Sequence, residues 1–309
     1  MCIKKIPYDS HEEWLSIRHK YIGGSEAGTI VGLNKYSSPY KLWLEKTDQV
    51  KPFEGNTITE VGSYLEEFVA QQFTKITGKQ VRRSNFTYVN DKYPFACANV
   101  DRLVVGEDAI LEIKTTGNYE YMSCIRSGEP VPTWWCQITH YMEVLDKPKA
   151  YLAVLLDCRE VRILEFDRDN AEGAALMKAE KEFWDMVSNH TPPEIDGAES
   201  TTEAIKTIYA DSKEGTVDLT PLAISIAGYE AAKKAEAEAK EMVAKYQNEI
   251  CDYMGNNDTG VYGSTKITWK TQSRKSFDSK AFEKDHPGMM APYQSETTSR
   301  VFRYTKKKS

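Results

Sequence analysis

The spacing of apolar positions changes along the chain, and each change marks an element. His11 to Lys20 reads as a short helix carrying Trp14, Leu15 and Ile17, and Ser38-Pro39 opens another, with proline early in the helix. From Thr57 to Thr77 the residues Val61, Leu65, Phe68, Val69, Gln72 or Phe73, and Ile76 fall on one helical stripe that Gly78 ends. Val81 to Val89 alternates as a single strand. Two apolar-rich runs, Ala98–Val105 and Ala109–Thr116, flank Gly106 and predict a β-hairpin. Thr116-Gly-Asn-Tyr has turn chemistry. The stripe Trp134, Ile138, Tyr141, Leu145 then predicts a helix over 130–145. Strands follow at Tyr151–Asp157 and Val161–Asp167, and a helix at Asn170–Asn189 stops before Pro192-Pro193. This order predicts an α/β core, a mixed central sheet flanked by helices.

Beyond it the pattern weakens. Residues 190–220 are polar and rich in turn formers, so we expect a first domain over 1–195, a linker over 196–220 and a C-terminal α+β accessory region over 221–309. A long Ala/Glu/Lys-rich helix, Leu222–Met254, leads that region, and its middle is too poor in large apolar groups to pack tightly. Lys266–Lys270 and Arg300–Tyr304 look strand-like, and Ser279–Lys284 looks helical.

Composition narrows the class. At 309 residues, 40% apolar and 28% charged, the chain can bury a full core. No apolar run approaches a bilayer span and the first residues carry no signal-like segment, so a cytoplasmic protein is expected. The six cysteines are scattered without a CxxC, which suits reduced thiols. Net charge is −6, yet residues 266–309 hold eleven Lys/Arg against four Asp/Glu, a local +7 that leaves −13 for the rest. A basic terminal segment interleaved with Trp269, Phe277, Tyr293, Phe302 and Tyr304 fits a nucleic-acid partner, a docking surface for another protein, or a small aromatic core with a solvated basic face.

The hairpin carries the candidate chemistry. A two-residue type II′ loop at Gly106-Glu107 would set Asp101 opposite Glu112, with Lys114 on the same face of the strand roughly 7 Å further on. Two carboxylates and an ammonium at one sheet end suit a hard cation such as Mg²⁺ and phosphodiester hydrolysis, in which the lysine orients water and offsets transition-state charge. A charged surface hairpin is the alternative. Three further sets are candidates. Arg18 precedes Gly23-Gly24-Ser25-Glu26, where Ser25 is expected to cap a helix whose start could hold an anion, unless it only caps and Arg18 is solvated. Glu66 sits at the edge of the 57–77 stripe, either reaching a site or simply exposed. Gln137 and Tyr141 are i, i+4 neighbours on one helix face.

Taken in order, Arg18…Gly-Ser25-Glu, Gly62-x-x-x-Glu66, Asp101, Glu112-Ile-Lys114 and Gln137-x-x-x-Tyr141 resemble the lambda-exonuclease-like, YqaJ-type branch of the PD-(D/E)xK nucleases, over about residues 10–190. The resemblance implies a PD-(D/E)xK, restriction-endonuclease-like core. It implies an Mg²⁺-dependent 5′→3′ double-strand DNA exonuclease of phage or prophage type that leaves 3′ overhangs. Mn²⁺ would substitute, and two ions would bind per site. Asp101, Glu112 and the Ile113 carbonyl would ligate metal, Glu66 would serve the second ion, and Lys114 would position water. Arg18 and Ser25 would take the 5′-phosphate, and Gln137 and Tyr141 would lie along the DNA or brace the site. A trimeric ring and a single-strand annealing recombinase partner are implied as well. The pattern departs at two points. Asn99 stands where the family often has serine, though it can still donate to phosphate. The arginine expected after the lysine is missing, for Glu120 lies near its place, and Arg126 is the candidate substitute. An endonuclease of restriction or junction-resolving type, and a non-catalytic DNA-end-binding module, are the competing readings.

Overall fold

The computed structural model describes residues 2–53, 55–296 and 298–306, and the chain divides into two compact units, 1–210 and 211–309. In the first, β1 (Ile3–Pro7), α1 (His11–His19), β2 (Ile22–Gly23), α2 (Gly24–Ile30) and α3 (Pro39–Lys46) lead into the long α4 (Thr57–Thr77). Asn56 caps α4, its side chain accepting from Ile58 and Thr59, and Gly78 ends it at φ +73°. The expected single strand over 81–89 is instead two, β3 (Val81–Arg83) and β4 (Phe86–Asn90), which join different sheets. Then come β5 (Ala96–Ala98), β6 (Arg102–Val104) and β7 (Ala109–Thr116). Next are α5 (Tyr119–Ser127), α6 (Pro132–Val144), β8 (Lys149–Leu156), β9 (Glu160–Asp167), α7 (Asn170–Ser188) and α8 (Glu199–Ile208).

Five strands form a mixed sheet in the order β3-β6-β7-β8-β9, with β7 and β8 parallel and the other pairs antiparallel. A smaller sheet runs β1-β4-β5-β2. Strand alternation sorts the β7 and β8 side chains to two faces. Leu111, Ile113, Tyr151, Ala153 and Leu155 pack with Val69, Ala70 and Phe73 of α4. Ile110, Ala150, Leu152, Val154 and Leu156 join a larger core with Ile138, Tyr141, Met142 and Val144 of α6. Every residue of α6 from Cys136 to Val144 is buried.

Several expectations are corrected. The α4 stripe is only half used: Val69 and Phe73 are buried and Leu65 partly so, whereas Val61, Phe68 and Ile76 are exposed. Helix α5, begun by an Asn118 side-chain cap, stands where the sequence predicts only a turn, because nine residues are too few to show a period. The stretch expected as a linker begins with α8, whose Thr201 and Ala204 are buried; the Thr201 hydroxyl meets that of Ser38 at 2.6 Å. The first compact unit therefore reaches Ala210 rather than 195.

In the second unit, a 3₁₀ turn (Thr220–Leu222) leads into α9 (Ala223–Met254), followed by a β10–β11 hairpin (Thr259–Tyr262, Thr265–Thr268) and α10 (Ser279–Asp285). Arg300–Tyr304 is not a strand. Phe302 and Tyr304 instead set their rings against Tyr229 of α9, each at 5.5 Å between centroids. Lys307 and Lys308 of the basic stretch lie outside the described residues.

Candidate active site

The β6–β7 register pairs Arg102 with Leu111 and Leu103 with Ile110, which carries Asp101 opposite Glu112 as the hairpin spacing requires. Gly106 takes φ +78°, the sign demanded of the first central residue of a II′ turn. The ladder, however, stops at Leu103–Ile110, so the loop is wider than two residues. Asp101 turns back over the sheet end, and its Oδ2 accepts the Ile113 amide at 2.7 Å.

Glu112 is buried on the α6 face. Its Oε1 accepts from Gln137 Nε2 and from Lys114 Nζ, both at 2.7 Å. Gln137 completes a ring: its Oε1 accepts from Lys114 at 2.8 Å, and its amide also reaches the Tyr141 hydroxyl at 3.1 Å. Glu112 Oε2 is buried and has no hydrogen-bond partner. Burial, then the neighbouring Glu112 charge, hold the Asp101 carboxyl well above its usual range. Burial also raises Glu112, against the pull of Lys114. An acidic pair strained in this way is relieved by a cation.

These groups open into a cleft of about 400 Å³ that also takes in Trp14, Arg18, Gly23, Gly24, Ser25, Ile58, Gly62, Glu66, Asn99 and Thr115. Arg18 Nη2 donates to Ser25 Oγ at 2.7 Å, and its guanidinium lies 4.8 Å from the Trp14 ring. Ser25 is not the helix cap: α2 starts two residues earlier than such a cap would set it, with Gly23 at the cap and the Glu26 carboxylate accepting the Gly23 amide. The two glycines are there for space. A Cβ on Gly24 would stand 2.5 Å from the Tyr141 ring, and one on Gly23 would stand 2.9 Å from Arg18 Nη2. Buried Lys46 of α3 holds this segment from below, bridging Glu26 at 2.9 Å and donating to the carbonyls of Tyr21 and Arg18.

Glu66 also borders the cleft, but its Oε1 is taken by Arg102, which bonds Glu67 as well. Arg102 and Lys46 are site-supporting residues that sequence reasoning missed. A buried arginine two positions from a buried valine on a strand gives no periodic signal, and Lys46 sits in an ordinary helix end. Asn99 lies at the cleft, but its amide already donates to Thr87 Oγ1 at 2.9 Å. Arg126 is corrected: it is absent from the cleft lining and pairs with Glu160 at 3.2 Å, because α5 turns it towards β9. Among the described residues no three His, Cys, Asp or Glu side chains gather as a ready-made metal cage. Asp101 and Glu112 nevertheless fit Mg²⁺, which keeps several waters and needs only one or two carboxylates; the orphaned Glu112 oxygen is the donor left for it.

The YqaJ-like viral recombinase domain profile matches residues 13–148. The uncharacterized protein YqaJ of Bacillus subtilis (strain 168) is 36% identical over 300 residues, covering 95% of this chain and 93% of its own length. The chain belongs to the YqaJ-like viral recombinase family. The fold is that of known nucleases as well. The alkaline exonuclease LHK-Exo from Laribacter hongkongensis superposes with a TM-score of 0.52 at 19% identity, over 58% of this chain and 94% of that one. The LHK-Exo complex with dAMP gives 0.51 at 18%, over 64% and 98%. The expected α/β core, a mixed sheet flanked by helices, is thus observed, and these exonucleases share it. No described helix is long and apolar enough to cross a membrane.

Proposed function

We propose that this YqaJ-like protein is a phage-type, divalent-metal-dependent nuclease that degrades double-stranded DNA from 5′ ends and leaves 3′ overhangs. The observation that carries the reading is the buried, partnerless Glu112 Oε2 beside Asp101 and Lys114 at the floor of the cleft. Asp101, Glu112 and the Ile113 carbonyl would hold Mg²⁺, or Mn²⁺ in its place, with Glu66 serving a second ion. Bound metal would supply Lewis acidity toward the scissile phosphate. Lys114, fixed by Glu112 and Gln137, aims its remaining donor capacity into the cleft, where it orients water and meets the charge growing on the phosphate. Gln137 holds lysine and glutamate in register, and Tyr141 braces the amide. Arg18, steadied by Ser25 and Trp14, offers a guanidinium to a terminal 5′-phosphate.

Action at ends for recombination further implies a single-strand annealing partner and a ring of copies, trimeric by the family resemblance. The deciding assay compares linear duplex bearing 5′-phosphate or 5′-hydroxyl with closed circular duplex, in Mg²⁺ and in chelator. Linear phosphorylated DNA should be consumed with 3′ overhangs left, and the circle spared. Cleavage of the circle would turn the reading to an endonuclease. Arg18→Ala should erase the preference for phosphorylated ends; an unchanged preference returns Arg18 to a surface role.

A further inference from the structure

Arg102 has almost no exposed surface, 3%, although it carries a full charge. It follows Asp101 in sequence, and strand alternation sends the two side chains to opposite faces: Asp101 to the Glu112 side, Arg102 to the α4 side. There Nη1 donates to Glu66 Oε1 and, at 2.7 Å, to the backbone carbonyl of Asp101. Nη2 donates to Glu67 Oε2 at 3.0 Å. Glu67 is half exposed and also paired with Arg83 at 3.2 Å. Glu66 faces the cleft.

A guanidinium is a rigid fork of donors. Nη1 bonds the Asp101 carbonyl and Glu66 together, and Nη2 holds Glu67, so the anchored fork fixes where Glu66 stands relative to Asp101. Stability alone explains this poorly. The neighbours on that face are Val104, Leu111 and Val69, and an apolar side chain there would avoid the desolvation that a buried ion pair incurs.

We propose that Arg102 is a positioning residue that sets the Glu66 carboxylate at the cleft as an outer partner of the divalent cation, tying α4 to the Asp101–Glu112 pair. The proposal rests on the metal-dependent reading of the cleft. Loss of a group that orients a metal's carboxylate partners typically costs about 10–100-fold in metal affinity or activity.

The test uses the full chain with Arg102→Met, Glu66→Gln, their double variant, and Asp101→Asn as control. Folding is checked by circular dichroism. Two readouts are taken: calorimetric titration of Ca²⁺ into DNA-free protein, and kcat and KM on 5′-phosphorylated linear duplex in Mg²⁺. Arg102→Met should weaken Ca²⁺ binding and lower kcat by about 10–100-fold with KM for DNA little changed. Glu66→Gln should match it, and the double variant should be no worse than either, because both changes act through one carboxylate. Normal Ca²⁺ binding and kcat in folded Arg102→Met, or losses that add in the double variant, overturn the proposal. Should Arg102→Met fail to fold, Arg102→Lys replaces it with the same expectation, smaller in size, and an unchanged Arg102→Lys overturns it. Failure of the underlying reading is told apart by the parent and the control. A parent that cuts equally in chelator, with Asp101→Asn still active, removes the metal and the role of Arg102 together.

Discussion

Helix α6 carries two buried polar clusters three residues apart, and they end differently. His140 is fully buried: Nδ1 meets both Glu180 oxygens at 2.8 and 2.9 Å, and Nε2 donates to the Cys97 carbonyl at 2.9 Å. Every polar atom of that pair is used inside the protein. One turn earlier, Gln137 ties Glu112 to Lys114 and Tyr141, yet one Glu112 oxygen is left with nothing. Glu112 and Gln137 are nearly as buried as His140 and Glu180, so completion is what separates them. A satisfied buried pair holds elements together, here α6, α7 and β5. An unsatisfied one is expensive to keep unless something from outside completes it.

The sharpest way to break the comparison is to neutralise each cluster. Asp101→Asn and Glu112→Gln should each cost several kcal/mol of transition-state stabilisation, about a thousandfold in kcat or more. In cation-free buffer the same variants should melt no earlier than the parent, because each removes a poorly solvated charge. An early melt in Glu112→Gln would make Glu112 structural.

His140→Ala should do the reverse. Removing one partner of a buried, complete pair strands the Glu180 charge and costs about 3–5 kcal/mol. The folded fraction should still turn over at close to the parent rate. Urea melts and active-site-normalised rates measure both; a normal melt with a dead enzyme would move His140 into the chemistry.

Dependence on pH separates the clusters more finely. Burial alone would push the His140 imidazole down, but the Glu180 charge and the hydrogen bonds to Glu180 and Cys97 carry it above the ordinary range. A raised histidine stabilises fully below its unfolded pKa of about 6.5, and that contribution is lost as pH climbs through the folded value. The raised Asp101 and Glu112 act with the same sign from a lower starting point: stability falls as pH rises from the ordinary carboxylate range, about 4, through their folded values. Ca²⁺ should cancel the second loss and leave the first untouched. A Ca²⁺ effect that survives in Glu112→Gln would place the cation elsewhere.

How far these clusters could be read from sequence follows from the kind of signal each gives. The 57–77 helix was legible at its C-terminal end because Gly78 is a local signal, but its buried face was not. Val61 and Phe68 obey the helical period and stay exposed, and period reports a face without saying what covers it. The Asp101–Glu112 register was legible because hairpin pairing is local arithmetic. Arg102 was not: its partners Glu66 and Glu67 lie 36 and 35 residues away, on a helix that reaches it only after α4 has packed on the sheet. The same holds for the pairing of Lys46 with Glu26 and of His140 with Glu180, which become visible only in three dimensions.

The smallest effect concerns residues 211–309, the second compact unit. Basic groups there give a salt-dependent pull on phosphate, and open aromatic faces can stack unpaired bases. Part of the aromatic set is already spent, since Phe302 and Tyr304 lie on Tyr229, and Phe277 lies 5.1 Å from Phe282. Trp269 and Tyr293 remain open, at 51% and 90% exposure. A chain ending at Ala210, where the first compact unit closes, is therefore expected to fold and to keep metal-dependent cleavage of a short duplex. Its affinity for long duplex should fall, and its log–log salt dependence should flatten by roughly 0.9 for each phosphate that is no longer neutralised. Trp269→Ala in the full chain should weaken single-strand binding while leaving the salt slope alone, because stacking releases no counterions. If the shortened chain is folded yet cannot cut even a short duplex, residues 211–309 belong to the catalytic apparatus. The contrast on α6 would then describe only half of the site.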